Sequence, residues 1–123
     1  MTNYSLENLL AFDGEEFTTE EGLTMRFKVK RCPVTPERPL GIRYSLTLHD
    51  PYGHRILGFD NAHAAGIRKQ KRFGAKIRTF DHVHRSARDK GVPIPISDAA
   101  ELLALFLHEV DQYRQRLSMK GNQ

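Results

Sequence analysis

The sequence predicts an α+β fold: an antiparallel sheet of about four strands with one long C-terminal helix packed on one face. Three observations carry that expectation. Leu23 to Lys30 and Ile42 to His49 alternate apolar and polar residues with a period of two. Asp50-Pro51-Tyr52-Gly53 then supplies the residues of a tight turn. From Asp98 onward, apolar residues recur at helical spacing.

In the first strand Leu23, Met25, Phe27 and Val29 share one face and leave a cationic outer face. Cys32 to Pro39 contains three prolines, which remove ladder donors, so this stretch reads as a loop. In the second strand Ile42, Tyr44, Leu46 and Leu48 alternate with Arg43, Ser45, Thr47 and His49. A type I turn at Asp50–Gly53 sends Arg55 to Asp60 back as the third strand of a hairpin. Ala64 to Ala75 shows no period and reads as a loop. Lys76 to His84 fits a fourth strand, with His82 and His84 on one face. Gly91-Val92-Pro93-Ile94-Pro95 breaks the pattern, and Asp98 with Glu101 resembles a capping box. Leu102, Leu103, Phe106, Val110, Tyr113 and Leu117 form the core stripe of a helix running to about Ser118. Ser5 to Phe12 is compatible with a short helix or an edge strand.

The 123 residues suit a single domain spanning 1–123. Apolar residues at 39% and charged residues at 28% are values ordinary for a soluble protein. No apolar run is long enough to span a membrane, and the first residues lack the basic start and apolar stretch of a secretory signal. Cys32, the single cysteine, has no partner for an internal disulfide and reads as inert. The expected location is therefore the cytoplasm. The net charge of +4 conceals a gradient: residues 64–90 hold nine basic and two acidic residues, leaving a net −3 elsewhere. Such concentration indicates a surface for a polyanion.

Two runs flank most of that basic segment. Phe59-Asp60-Asn61-Ala62-His63 and Phe80-Asp81-His82-Val83-His84 together hold two acids, an amide and three histidines. Histidine titrates nearest neutral pH, so histidines beside carboxylates suit proton transfer or metal ligation. For RNA cleaved without a metal, His63 and either His82 or His84 would be the acid–base pair. Asp60 or Asp81 would orient an imidazole, and Arg78 or Arg85 would neutralise the developing phosphorane. Asn61, Arg68, Lys69, Lys71, Arg72, Lys76 and Arg78 are the candidate substrate contacts, although Asn61 also suits a cap at the strand end. The expectation is that His63 converges with His82 or His84, on one surface with Asp60 and Asp81, and that the imidazoles face solvent. The same residues permit a metal site with His82 and His84 as a His-x-His pair, but no paired cysteines or helical histidine spacing supports it. No cofactor is expected. The glycines are too scattered to form a phosphate loop.

Arg38-Pro39-Leu40-Gly41-Ile42-Arg43-Tyr44-Ser45-Leu46-Thr47-Leu48-His49-Asp50, with Gly53 and Ile56 to His63, resembles the TumE family of small prokaryotic toxins. Asp81-His82-Val83-His84-Arg85 and the closing stretch from Glu101-Leu102-Leu103 through Phe106 to Val110 extend the likeness, which covers roughly Gly22 to Tyr113. The chain departs from the family pattern at Leu105, where an acid is common, and at Val92 to Ile96, which replaces a more aromatic stretch. The resemblance implies the toxin component of a type II toxin–antitoxin system, silenced by a cognate antitoxin, typically a small DNA-binding protein from the adjacent gene. Joined to the histidine runs, it makes a metal-independent ribonuclease acting on RNA the leading expectation. The alternatives are a non-enzymatic toxin that binds nucleic acid or a cellular protein through residues 64–90, and a metal-dependent nuclease.

Overall fold

The computed structural model describes residues 4–61, 81–85, 91–94 and 96–121. Its elements are α1 (Tyr4–Ala11), β1 (Glu16–Thr18), β2 (Thr24–Arg31), β3 (Ile42–His49), β4 (Arg55–Asp60), β5 (His82–His84), β6 (Val92–Pro93) and α2 (Ala99–Gly121). All neighbouring strands are antiparallel, and their order in the sheet is their order in the chain. The α+β architecture is the expected one.

The strand count is larger than expected because short edges complete the sheet. β1 has three residues and β6 has two, too few for a periodic signal. Val92-Pro93, expected to break the pattern, instead pairs with Val83 and His82. A proline is tolerated there because β6 is an edge and needs no ladder donor on its outer side. Of the fourth strand expected over Lys76–His84, His82–His84 is extended, and Lys76–Phe80 lies outside the described residues. At the N-terminus the helical alternative holds, with Leu9 buried in the core.

Alternation sorts the side chains as the pattern requires. Phe27, Val29, Ile42, Tyr44, Leu46, Leu48, Leu57, Phe59 and Val83 are buried on one face, and Met25 packs against them partly buried. The turn after β3 closes with Gly53 donating to the Asp50 carbonyl at 3.0 Å, and Gly53 takes a positive φ of 88° that a side chain would resist. Asp98 caps α2 by accepting from the Glu101 amide at 2.7 Å, and Glu101 accepts from the Ser97 amide at 2.8 Å. This is the capping box with its reciprocal bond shifted by one residue.

Phe106 joins helix to sheet. It is fully buried and meets Phe27 and Phe59 edge-to-face, with centroids at 5.6 and 5.8 Å. Such geometry places ring edges against ring faces and adds to simple burial. Phe106→Ala should therefore cost about 3–5 kcal/mol, measurable by chemical denaturation. A loss below about 1 kcal/mol would mean that the helix contributes little to the core, contrary to this packing.

Candidate active site

Cross-strand partners share a face of the sheet, so register decides which groups can meet. Phe59 lies opposite Val83 on the helix side. Asp60 opposite His82, and Gly58 opposite His84, therefore fall on the side away from the helix. The ends of the two histidine runs are thus neighbours, carried on adjacent strands. The His82 and His84 rings are 6.5 Å apart between centroids.

The closest contact in the cluster joins the strands diagonally. His84 Nε2 lies 3.0 Å from Asp60 Oδ2. A carboxylate can only accept, so the Nε2 proton is the one directed at it, which fixes the imidazole's orientation. Asp60 Oδ1 is buried and has no hydrogen-bond partner among the described residues. Two glycines around this ring allow close approaches. Gly58 leaves the position opposite His84 open, and the Arg55 side chain lies across it: a Cβ at Gly58 would sit 3.4 Å from Arg55 Cδ. Gly91, at a φ of 99°, comes so close that a Cβ there would lie 2.6 Å from His84 Cε1. The ring is therefore confined by Asp60 and the Gly91 backbone.

Sequence reasoning expected solvent-facing imidazoles, and the structure corrects that. His82 and His84 are only 4% and 8% exposed. Their side chains belong to the packed structure as well as to the cluster, so substitutions there must be controlled for folding.

On the helix side, the same end of the sheet is held by polar bonds. The Tyr44 hydroxyl donates to Asp81 Oδ1 at 2.5 Å, and both groups are buried. Burial first, then the Asp81 carboxylate, raises the Tyr44 hydroxyl far above the ordinary phenol range, so it stays a donor. Asn61 uses both ends of its amide on β3: Oδ1 accepts from the Tyr44 amide and Nδ2 donates to the Ile42 carbonyl, each at 2.9 Å. Its own carbonyl accepts from Arg38 Nε at 3.0 Å. Asn61 thus extends the β3–β4 ladder past the end of the strand, the capping role that its residue type suggested.

The expected site residues are therefore divided. Asp60, His82 and His84 come together. Asp81 is bound to Tyr44 on the other side of the sheet. Arg85, next in alternation after Val83, points to the helix and pairs with Glu109 at 2.9 Å. His63, Arg68, Lys69, Lys71, Arg72, Lys76 and Arg78 lie outside the described residues. Among the described residues, no group of three His, Cys, Asp or Glu side chains is placed to hold a metal. None of the helices described is long and apolar enough to cross a membrane. Tyr44, Arg55 and Gly91 were missed. An isolated glycine inside an otherwise apolar strand, Gly58, was the available signal for a close approach such as that of Arg55.

A family model described as Toxin TumE matches residues 14–114. That span runs from before β1 into α2 and includes the whole cluster. No curated protein and no solved structure matches the chain.

The Tyr44–Asp81 bond is testable without touching the histidines. Tyr44→Phe keeps the ring and removes the donor to a buried carboxylate. It should lower stability by roughly 1.5–3 kcal/mol, the usual worth of a hydrogen bond to a charged group. Equilibrium denaturation measures this, and an unchanged midpoint would show that the bond does not hold the sheet end.

Proposed function

This chain belongs to the TumE toxin family, and we propose that it is the toxin of a type II toxin–antitoxin system, acting as a metal-independent endoribonuclease. One observation carries the reaction: a half-buried carboxylate holds an imidazole at 3.0 Å, with a second imidazole on the same face. Fixed imidazoles are suited to both proton roles of RNA cleavage at neutral pH.

RNA supplies its own nucleophile. One imidazole takes the proton of a 2′-hydroxyl, and the freed oxygen bonds to the adjacent phosphorus. The bond from phosphorus to the 5′-oxygen breaks, and that oxygen takes a proton from a second, protonated imidazole. A 2′,3′-cyclic phosphate and a 5′-hydroxyl remain. His84, oriented by Asp60, is one proton carrier, and His82 or His63 is the other. Arg55, whose side chain lies across Gly58, and the basic residues of the 64–90 segment counter the charge that builds at phosphorus. The partner is a cognate antitoxin, a DNA-binding protein from the adjacent gene whose acidic segment complements the basic surface.

Expressed without that partner, the protein should arrest growth and generate RNA ends bearing cyclic phosphate. His84→Gln and Asp60→Asn should each lower cleavage by on the order of 10²–10⁴. Thermal unfolding confirms that each variant is folded, as the burial of His84 requires. Toxicity that survives both substitutions in folded protein would remove the enzymatic reading and leave a toxin that binds its target through residues 64–90. The rate should pass through a maximum with pH, where one imidazole is charged and the other is not. A rate that only rises with pH and is lost to chelators would point to a metal-bound hydroxide.

A further inference from the structure

The face of the sheet away from the helices carries cations of its own, on β2 and β3. Register places Lys30 opposite Arg43, and Lys28 opposite Ser45, which in turn lies opposite Asp60, itself opposite His82. Lys28, Ser45, Asp60 and His82 therefore form one row across four strands. The next row runs from Arg26 through Thr47 and Gly58 to His84. With strands about 4.8 Å apart, each row is roughly 14 Å long.

A groove of about 180 Å³ lies on this face between β2 and β3, lined by Arg26, Lys28, Ser45, Thr47 and His49. A second hollow of about 170 Å³ continues it, bounded by Lys28, Lys30, Arg43 and Ser45. Arg26 pairs with Glu16 and Lys30 with Asp13, but Lys28 and Arg43 are exposed and form no ion pair among the described residues. Within the groove, His49 Nε2 lies 2.9 Å from Thr47 Oγ1. Unpaired cations beside half-buried hydroxyls are the donor set that phosphate oxygens take. A surface for one acidic side chain would need no row, whereas a chain of phosphates does.

We infer that this groove binds the phosphate backbone of single-stranded RNA flanking the bond held at Asp60 and His84. The inference rests on the ribonuclease reading for the direction of the strand, but it concerns binding and can fail separately. Lys28 and Arg43 hold phosphates, Ser45 donates to them, and the strand runs from β2 across β3 to the histidines. Affinity then depends on phosphates beyond the cleaved bond, and substrate length matters.

The test uses the full chain carrying His84→Gln, a fluorescent single-stranded RNA of twelve nucleotides, and anisotropy titrations at several salt concentrations. Adding Lys28→Ala and Arg43→Ala should weaken binding and reduce the slope of log affinity against log salt by about 1.4, or about 0.7 for each lost phosphate contact. In the cleaving protein, the same pair should raise KM for the long RNA, leave kcat unchanged and leave a dinucleotide substrate unaffected. An unchanged slope in folded protein overturns the inference even if the wild type cuts RNA. So does a pair that binds RNA normally and loses only antitoxin affinity, which would assign the groove to that partner. A reduced slope in a protein that cuts no RNA supports the groove and removes the ribonuclease reading instead.

Discussion

Because side chains alternate across a strand, seating Phe59 and Val83 in the core obliges Asp60, His82 and His84 to share the opposite face. The alternative register, displaced by one residue, would expose Val83 and press two imidazoles into the layer occupied by Phe106. Full burial of a valine or phenylalanine side chain stabilises by about 1.5–3 kcal/mol. The slipped pairing forfeits that gain, so it is disfavoured. Selection of the site geometry is thus made on the helix side, by residues that never meet a substrate.

The polar groups at the end of the sheet reinforce that choice. A strand end normally leaves backbone donors and acceptors to water, yet here Asn61 completes the ladder at Tyr44 and Ile42, and Arg38 closes over its carbonyl. Beneath it the Tyr44 hydroxyl satisfies part of Asp81. These bonds hold β4 and the start of β5 where the Asp60–His84 contact requires them. Positioned groups retain their geometry only when their supports are themselves fixed. Asp81, read from the sequence as a chemical group, is such a support.

The long alternating strands, the Asp50–Gly53 turn and the capped helix were legible because each repeats a local rule over many residues. β1 and β6 were not, since two or three residues carry no period and owe their pairing to the neighbouring strand. Asp60 and the two histidines of β5 were legible as a cluster by residue type. Their division from Asp81 was not, because it depends on which residues of β5 face the helix. The burial of His82 and His84 also escaped, since polar residue types suggest exposure and only tertiary packing overrides it. Arg55 was hidden for a different reason: its role depends on a glycine three positions later that lets it fold back over its own strand.

The order of the strands has a kinetic side. In a meander each pairing closes the chain between two consecutive strands, and the entropy of closure grows with the length enclosed. β3 and β4 are joined by the short turn around Pro51, whereas residues 61–81 separate β4 from β5. β5 then offers only three residues of ladder and β6 two. Loop closure therefore weighs most on the pairing that brings His84 to Asp60, and the ladder repays it least. The cluster is thereby tied to the pairing whose closure costs the most entropy, while the hairpin closes over a short turn.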